Sequence, residues 1–115
     1  MKVIWNKKEF TITTEDSTTV RDIIKMLPLT LKMRRNGPVE FVGDLPQKPV
    51  NDGRKTSNVK PNEVYYYAGW NVLCLNYAPA DISPYDITYL GKAEDTSLAE
   101  LLHEAPDHIE VRVEE

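Results

Sequence analysis

The chain has 115 residues with 14 Lys and Arg against 18 Asp and Glu, a net charge of -4 and a single cysteine. That length can bury one sizeable core without disulfide or metal support, so one domain over residues 1–115 is expected. The acidic balance argues against a binder of nucleic acid or anionic membrane, which needs clustered Lys and Arg, and a lone Cys74 cannot form an internal disulfide, which points to the cytoplasm.

The N-terminus, Met1 to Asn6, turns polar at once and has no apolar stretch of signal-peptide length. No later segment is apolar enough to span a bilayer, so the protein is expected to be soluble. Val3, Ile4 and Trp5 lead into Asn6-Lys7-Lys8, after which Phe10 and Ile12 alternate with Glu9, Thr11 and Thr13, the pattern of an N-terminal β-hairpin. From Val20 the period changes. Val20, Ile23, Ile24 and Leu27 fall at i, i+3, i+4 and i+7, a short amphipathic helix with Ser17 or Thr18 as N-cap and Pro28 as stop.

Leu29, Leu31 and Met33 alternate with Thr30, Lys32 and Arg34 in a third strand, closed by Asn36-Gly37-Pro38, and Val39, Phe41 and Val42 give a shorter fourth. Leu45 to Asn62 is rich in Pro, Lys and Ser around an Asn51-Asp52-Gly53 turn and reads as a long irregular stretch, with Val50 and Val59 as its only apolar pins. The run Glu63 to Tyr77 then holds about half of the aromatic residues and reads as two strands around a short connection at Trp70. A second polar loop, Ala78 to Asp86, precedes a strand from Ile87 to Leu90 that Gly91 ends or bulges. Ser97-Leu98-Ala99-Glu100 has the form of a capping box opening a second helix, which Pro106 terminates. Ile109, Val111 and Val113 alternate with charged residues in a last strand.

The order β-β-α-β-β-loop-β-β-loop-β-α-β describes a mainly β chain whose short connections make it mostly antiparallel. About eight strands in so small a chain bury their faces and protect their edges best by closing into a barrel, with two short helices capping its ends. Side chains just fill a barrel of that strand number, which directs binding to the outer wall and the loops.

Leu27-Pro28-Leu29-Thr30-Leu31, the later Leu45-Pro46, the hairpin Tyr65 to Tyr77 and the closing Leu90-Gly91-Lys92 resemble, in order and spacing, the prokaryotic cyclophilin-like domain families. The resemblance implies a closed eight-stranded barrel capped by two helices, in agreement with the element order. It does not imply peptidyl-prolyl isomerase activity, because the Phe-His-Arg-like strand motif of true cyclophilins is missing here.

Trp70 sits at a turn, where a large amphipathic ring is poorly placed for a core and well placed for a partner, and Tyr77, Tyr85 and Tyr89 are candidates to join it. Arg34, Arg35 and Arg54 are the basic residues that would meet an acidic ligand. Tyr66, Leu73, Cys74 and Leu75 are assigned to the core, the thiol acting as a small apolar group. Glu100 and His103 share a helix face at a spacing used in metal sites, but no second ligand set accompanies them. Asp81, Asp86, Glu94 and Asp95 flank the strand of Tyr89 as loop and turn carboxylates. No metal or cofactor is expected, and no glycine cluster could cradle phosphate. Two functions follow: a non-catalytic module that binds a peptide or small acidic ligand on its outer wall, or a divergent peptidyl-prolyl isomerase-like enzyme supported by the fold resemblance alone.

Overall fold

The computed structural model describes residues 1–115. Asn6 and Lys7, both at positive φ, turn β1 (Lys2–Trp5) back on β2 (Lys8–Thr14) in the two-residue form whose twist suits a hairpin. Helix α1 (Thr18–Ile24) follows, with Ser17 Oγ accepting from the Val20 amide at 3.1 Å, and buries Val20 and Ile23. The strands β3 (Leu29–Asn36), β4 (Glu40–Asp44), β5 (Lys55–Thr56), β6 (Asn58–Val59), β7 (Glu63–Tyr67), β8 (Val72–Asn76), β9 (Ala80–Asp81) and β10 (Ile87–Ala93) lead to helix α2 (Ser97–Glu104) and β11 (His108–Glu114).

Eight strands hydrogen-bond in the order β2-β1-β11-β3-β4-β8-β7-β10, and β10 returns to β2 through Gly91, Lys92 and Ala93, closing an antiparallel barrel. Its interior is filled. Val3, Phe10, Leu31, Phe41, Tyr66 and Leu75 belong to one buried cluster, against which α1 and α2 pack Ile23, Leu98 and Leu102. These side chains occupy the interior that the strand number was expected to leave just filled. No helix is long and apolar enough to cross a membrane.

A register shift between Tyr89 and Gly91 in the β10–β7 pairing is a β-bulge, so Gly91 bulges the strand and does not end it. The bulge lies where β10 meets β2, and a Cβ on Gly91 would stand 2.4 Å from the Thr13 carbonyl oxygen. Only glycine lets the closing strands approach so closely.

Two local expectations are corrected. Ser97 does not form a capping box: it is the first helical residue of α2, and its amide donates to Asp95 Oδ1 at 2.9 Å while its hydroxyl accepts from Lys8 at 2.9 Å. The Ala99 amide is instead capped from a distance, by Asn62 Oδ1 at 2.8 Å. In the stretch from Leu45 to Asn62, Val59 is buried but Val50 is 55% exposed. Polar groups do the pinning there. Thr19 Oγ1 accepts from the amides of Asp52 and Gly53 at 3.0 and 3.1 Å, the Val50 amide donates to Asp22 at 2.8 Å, and Thr88 Oγ1 donates to Asn51 at 2.6 Å. The same stretch also holds β5, which pairs antiparallel with the start of β10, and β6, which pairs with β9.

The β6–β9 ribbon explains a second buried cluster on the outside of the barrel. Val42, Tyr65, Val72 and Cys74 point outward from β4, β7 and β8, and Val59 of the ribbon covers them together with Ile87. The wall is thereby buried on both faces, which is why Val72–Asn76 is buried at every position.

Candidate functional site

The ribbon stops short of the whole wall, and beside it an open groove of about 510 Å³ runs over the outer face of the barrel. Its floor is apolar, from Val39, Val59, Ile82 and Ile87. Its aromatic part is Tyr67, Trp70 and Tyr85, and its polar part is Asn36 and Glu40. A smaller hollow of about 280 Å³ adjoins it, sharing Tyr67, Tyr85 and Ile87 and adding Lys55, Asp86 and Thr88.

The turn that presents Trp70 is held from several sides. Asn71, at φ 55°, donates its amide to Ala68 at 3.3 Å and its side-chain nitrogen to the Gln47 carbonyl at 3.1 Å. Its Oδ1 accepts from the Tyr66 hydroxyl at 2.7 Å. Tyr67 stands edge-on to Trp70 with centroids 5.6 Å apart and covers Gly69, where a Cβ would meet the ring at 2.8 Å. Trp70 thus remains 53% exposed on a fixed backbone, and Tyr85 is 64% exposed across the same groove. Two large rings left in water on an ordered scaffold are what a partner can cover without first ordering the site.

Glu40 is the one charged residue of the larger groove. It accepts from Asn36 Nδ2 at 2.8 Å, and partial burial holds its carboxyl above the usual range against the opposing hydrogen bonds of Asn36 and Cys74. Asn76, its cross-strand partner, is buried with neither side-chain oxygen nor nitrogen hydrogen-bonded. Cys74 lies fully buried in the outer cluster, and burial, with Glu40 adding to it, pushes its thiol well up, so the sulfur is an apolar filler.

The remaining candidates lie elsewhere. Tyr77 is an inner core residue whose ring packs against Phe41 and His103 and whose hydroxyl donates to the Gly37 carbonyl at 3.0 Å, so the structure separates it from Trp70. Tyr89 is on the outer wall beyond the groove, edge-on to Tyr65, with the Arg54 guanidinium 4.4 Å from its ring. Arg54 also pairs with Glu15 at 3.0 Å, and Arg34 pairs with Asp44 at 3.6 Å. Arg35 lies over Phe41 and Tyr77, pairs with Asp107 at 2.8 Å and donates to the Ala105 carbonyl, tying β3 to the end of α2. None of the three arginines lines the groove.

Of the carboxylates flanking the Tyr89 strand, three are engaged in separate local bonds and Asp86 lines the smaller hollow. Asp81 accepts from the Ser83 amide and hydroxyl at 2.9 and 2.7 Å, which lowers its pKa, and Glu94 accepts from Thr13 at 2.9 Å. Asp95 is lowered to about 2 by its bonds from Ser97, with Lys8 3.3 Å away. Glu100 and His103 are exposed on α2.

Glu40, Tyr67 and Ile82 were not among the site candidates read from sequence, and Val59 was read only as an apolar pin of its loop. A signal exists for the covered wall, though not for Glu40: β7 and β8 carry apolar or aromatic residues at consecutive positions, which marks a wall with a second covered face.

A cyclophilin-like family model matches residues 3–114. Among solved structures, the chain is similar to a hypothetical protein from Archaeoglobus fulgidus, determined in solution, with a TM-score of 0.65 and 19% identity over 98% of this chain and 91% of that one. No curated protein matches.

Proposed function

The chain belongs to the cyclophilin-like family, and on this barrel we propose a non-catalytic binding module that takes an extended apolar peptide segment in its outer-wall groove. The observation that carries the reading is the exposure of Trp70 and Tyr85 along one apolar groove whose backbone is already fixed. Covering the free part of each ring, on the order of 100 Å², contributes about 2.5 kcal/mol apiece before the cost of ordering the peptide. Weak affinity, around the millimolar range, is the consequence. The small acidic ligand suggested by Arg34, Arg35 and Arg54 has less support, because each of these cations is held by a carboxylate away from the groove.

Trp5, the second tryptophan, packs against the barrel core, so a Trp5→Phe background isolates the groove fluorophore. Titration with proline-containing apolar peptides should shift the Trp70 emission in a saturable way. Trp70→Ala should weaken binding about tenfold or more while changing urea stability by less than about 1 kcal/mol, as an exposed side chain does. An emission unmoved by every peptide would remove the reading. Acceleration in a protease-coupled proline isomerisation assay would replace it with the enzyme.

A further inference from the structure

The groove has two chemically different ends. Tyr67 pairs with Val72, Val72 with Asp44, and Glu40 lies four residues from Asp44 along β4, opposite Asn76. At the rise of an extended strand those four residues place Glu40 about 13 Å from the level of Tyr67 and Trp70. One end is therefore aromatic, and the other holds Glu40, the only charged residue that lines the groove itself.

That carboxylate has no cation. Glu40 takes part in none of the eight ion pairs, and Arg34 of the adjacent β3, cross-strand to Val42, pairs with Asp44. Its hydrogen-bond donor is the neutral amide of Asn36, and its cross-strand neighbour Asn76 has a buried, unpartnered carboxamide. A partly buried acid with only neutral neighbours is costly to ionise, and a ligand cation offsets that cost with a charge-assisted hydrogen bond.

We infer that the groove selects extended peptides carrying a lysine or arginine about four residues from an apolar side chain, with the apolar group against Trp70 and Tyr85 and the cation at Glu40. This selectivity rests on the groove being a peptide site. The carboxylate supplies register and sign, and the rings supply most of the contact area. An acidic residue at the same peptide position meets Glu40 directly and is rejected.

The test uses the full chain and blocked pentapeptides with leucine at one end and lysine at the other, made in both chain directions, with norleucine or glutamate in place of lysine. The lysine form in the preferred direction should bind about tenfold more tightly than the norleucine form, and the glutamate form more weakly than either. Glu40→Gln, which keeps the size and an acceptor for Asn36, should collapse the lysine advantage. Glu110→Gln on the exposed face of β11 should leave it intact. Equal affinity of the lysine and norleucine forms, or a lysine advantage that survives Glu40→Gln, overturns the selectivity while leaving a peptide groove in place. Failure of all six peptides to bind overturns both.

Discussion

Glu40 and Asn62 show how much of this molecule depends on single polar side chains in places that composition does not mark. Glu40 faces Asn36 from β3 and Cys74 and Asn76 from β8, and Arg34, cross-strand to Val42 on the same strand, is held by Asp44. Burial raises its pKa, so the folded chain holds this proton to higher pH than the unfolded chain does. Its contribution to stability is then fully present below the ordinary glutamate range and is lost as pH rises through the raised folded value. Glu40→Gln should accordingly be more stable than the native chain in urea at about pH 8 and close to it at about pH 4. A difference that is flat with pH, or larger at the acid end, contradicts the assignment. The lowered Asp81 and Asp95 act in the opposite sense, below the usual aspartate range, and cancel in this comparison. Sequence made Trp70 legible because a turn-placed indole has few structural uses. It left Glu40 hidden, because nothing in Val39-Glu40-Phe41-Val42 shows that the outward positions of this strand are half covered.

At the scale of elements, all eight barrel strands and both helices were legible from periodicity and turn residues. What escaped were the pairs β5 and β6 inside the polar stretch and β9 after the hairpin, each two residues long and without any repeat to detect. The start of α2 escaped for a related reason, because its caps are not the serine and glutamate that the local pattern offers. Asn62, at φ 68°, caps the Ala99 amide, donates its own amide to the Asn76 carbonyl at 3.0 Å and accepts from the Ala93 amide at 2.8 Å. One residue thus joins the entry of β7, the end of β8, the end of β10 and the first turn of α2. Asn62→Ala loses the cap and strains a left-handed backbone, and should cost about 2–3 kcal/mol in equilibrium unfolding. Asn62→Gly loses only the cap and should cost about 1 kcal/mol less than the alanine variant. Equal costs for the two would mean that the backbone conformation contributes nothing there.

For the whole molecule, the closing seam between β2 and β10 is the feature on which the barrel depends. Gly91 permits it, and Gly91→Ala should lower stability by about 3 kcal/mol, because the added Cβ meets backbone that cannot yield as a side chain would. A variant as stable as the native chain would show that the bulge is looser than the 2.4 Å approach implies. The sequence pointed to closure through edge protection, and to a filled interior through strand number. The consecutive apolar residues of β7 and β8 mark a wall covered on both faces, but they do not say that the two-residue strands β6 and β9 supply the cover or how far it reaches. The groove exists because the β6–β9 ribbon covers part of that wall and leaves the part beside Trp70 open.

The central claim is therefore one of location: ligands meet the outer wall at the groove, and the barrel interior stays closed. Amide and indole chemical-shift mapping, with a saturating proline-containing apolar peptide added to uniformly labelled protein, tests it most directly. The largest shifts should fall on the Trp70 indole and on the amides of Tyr67, Ile82 and Tyr85, with Phe10, Leu31 and Val111 of the interior unmoved. Shifts centred on those interior residues, or on the opposite β3–β11 face around Lys32 and Glu110, would contradict it.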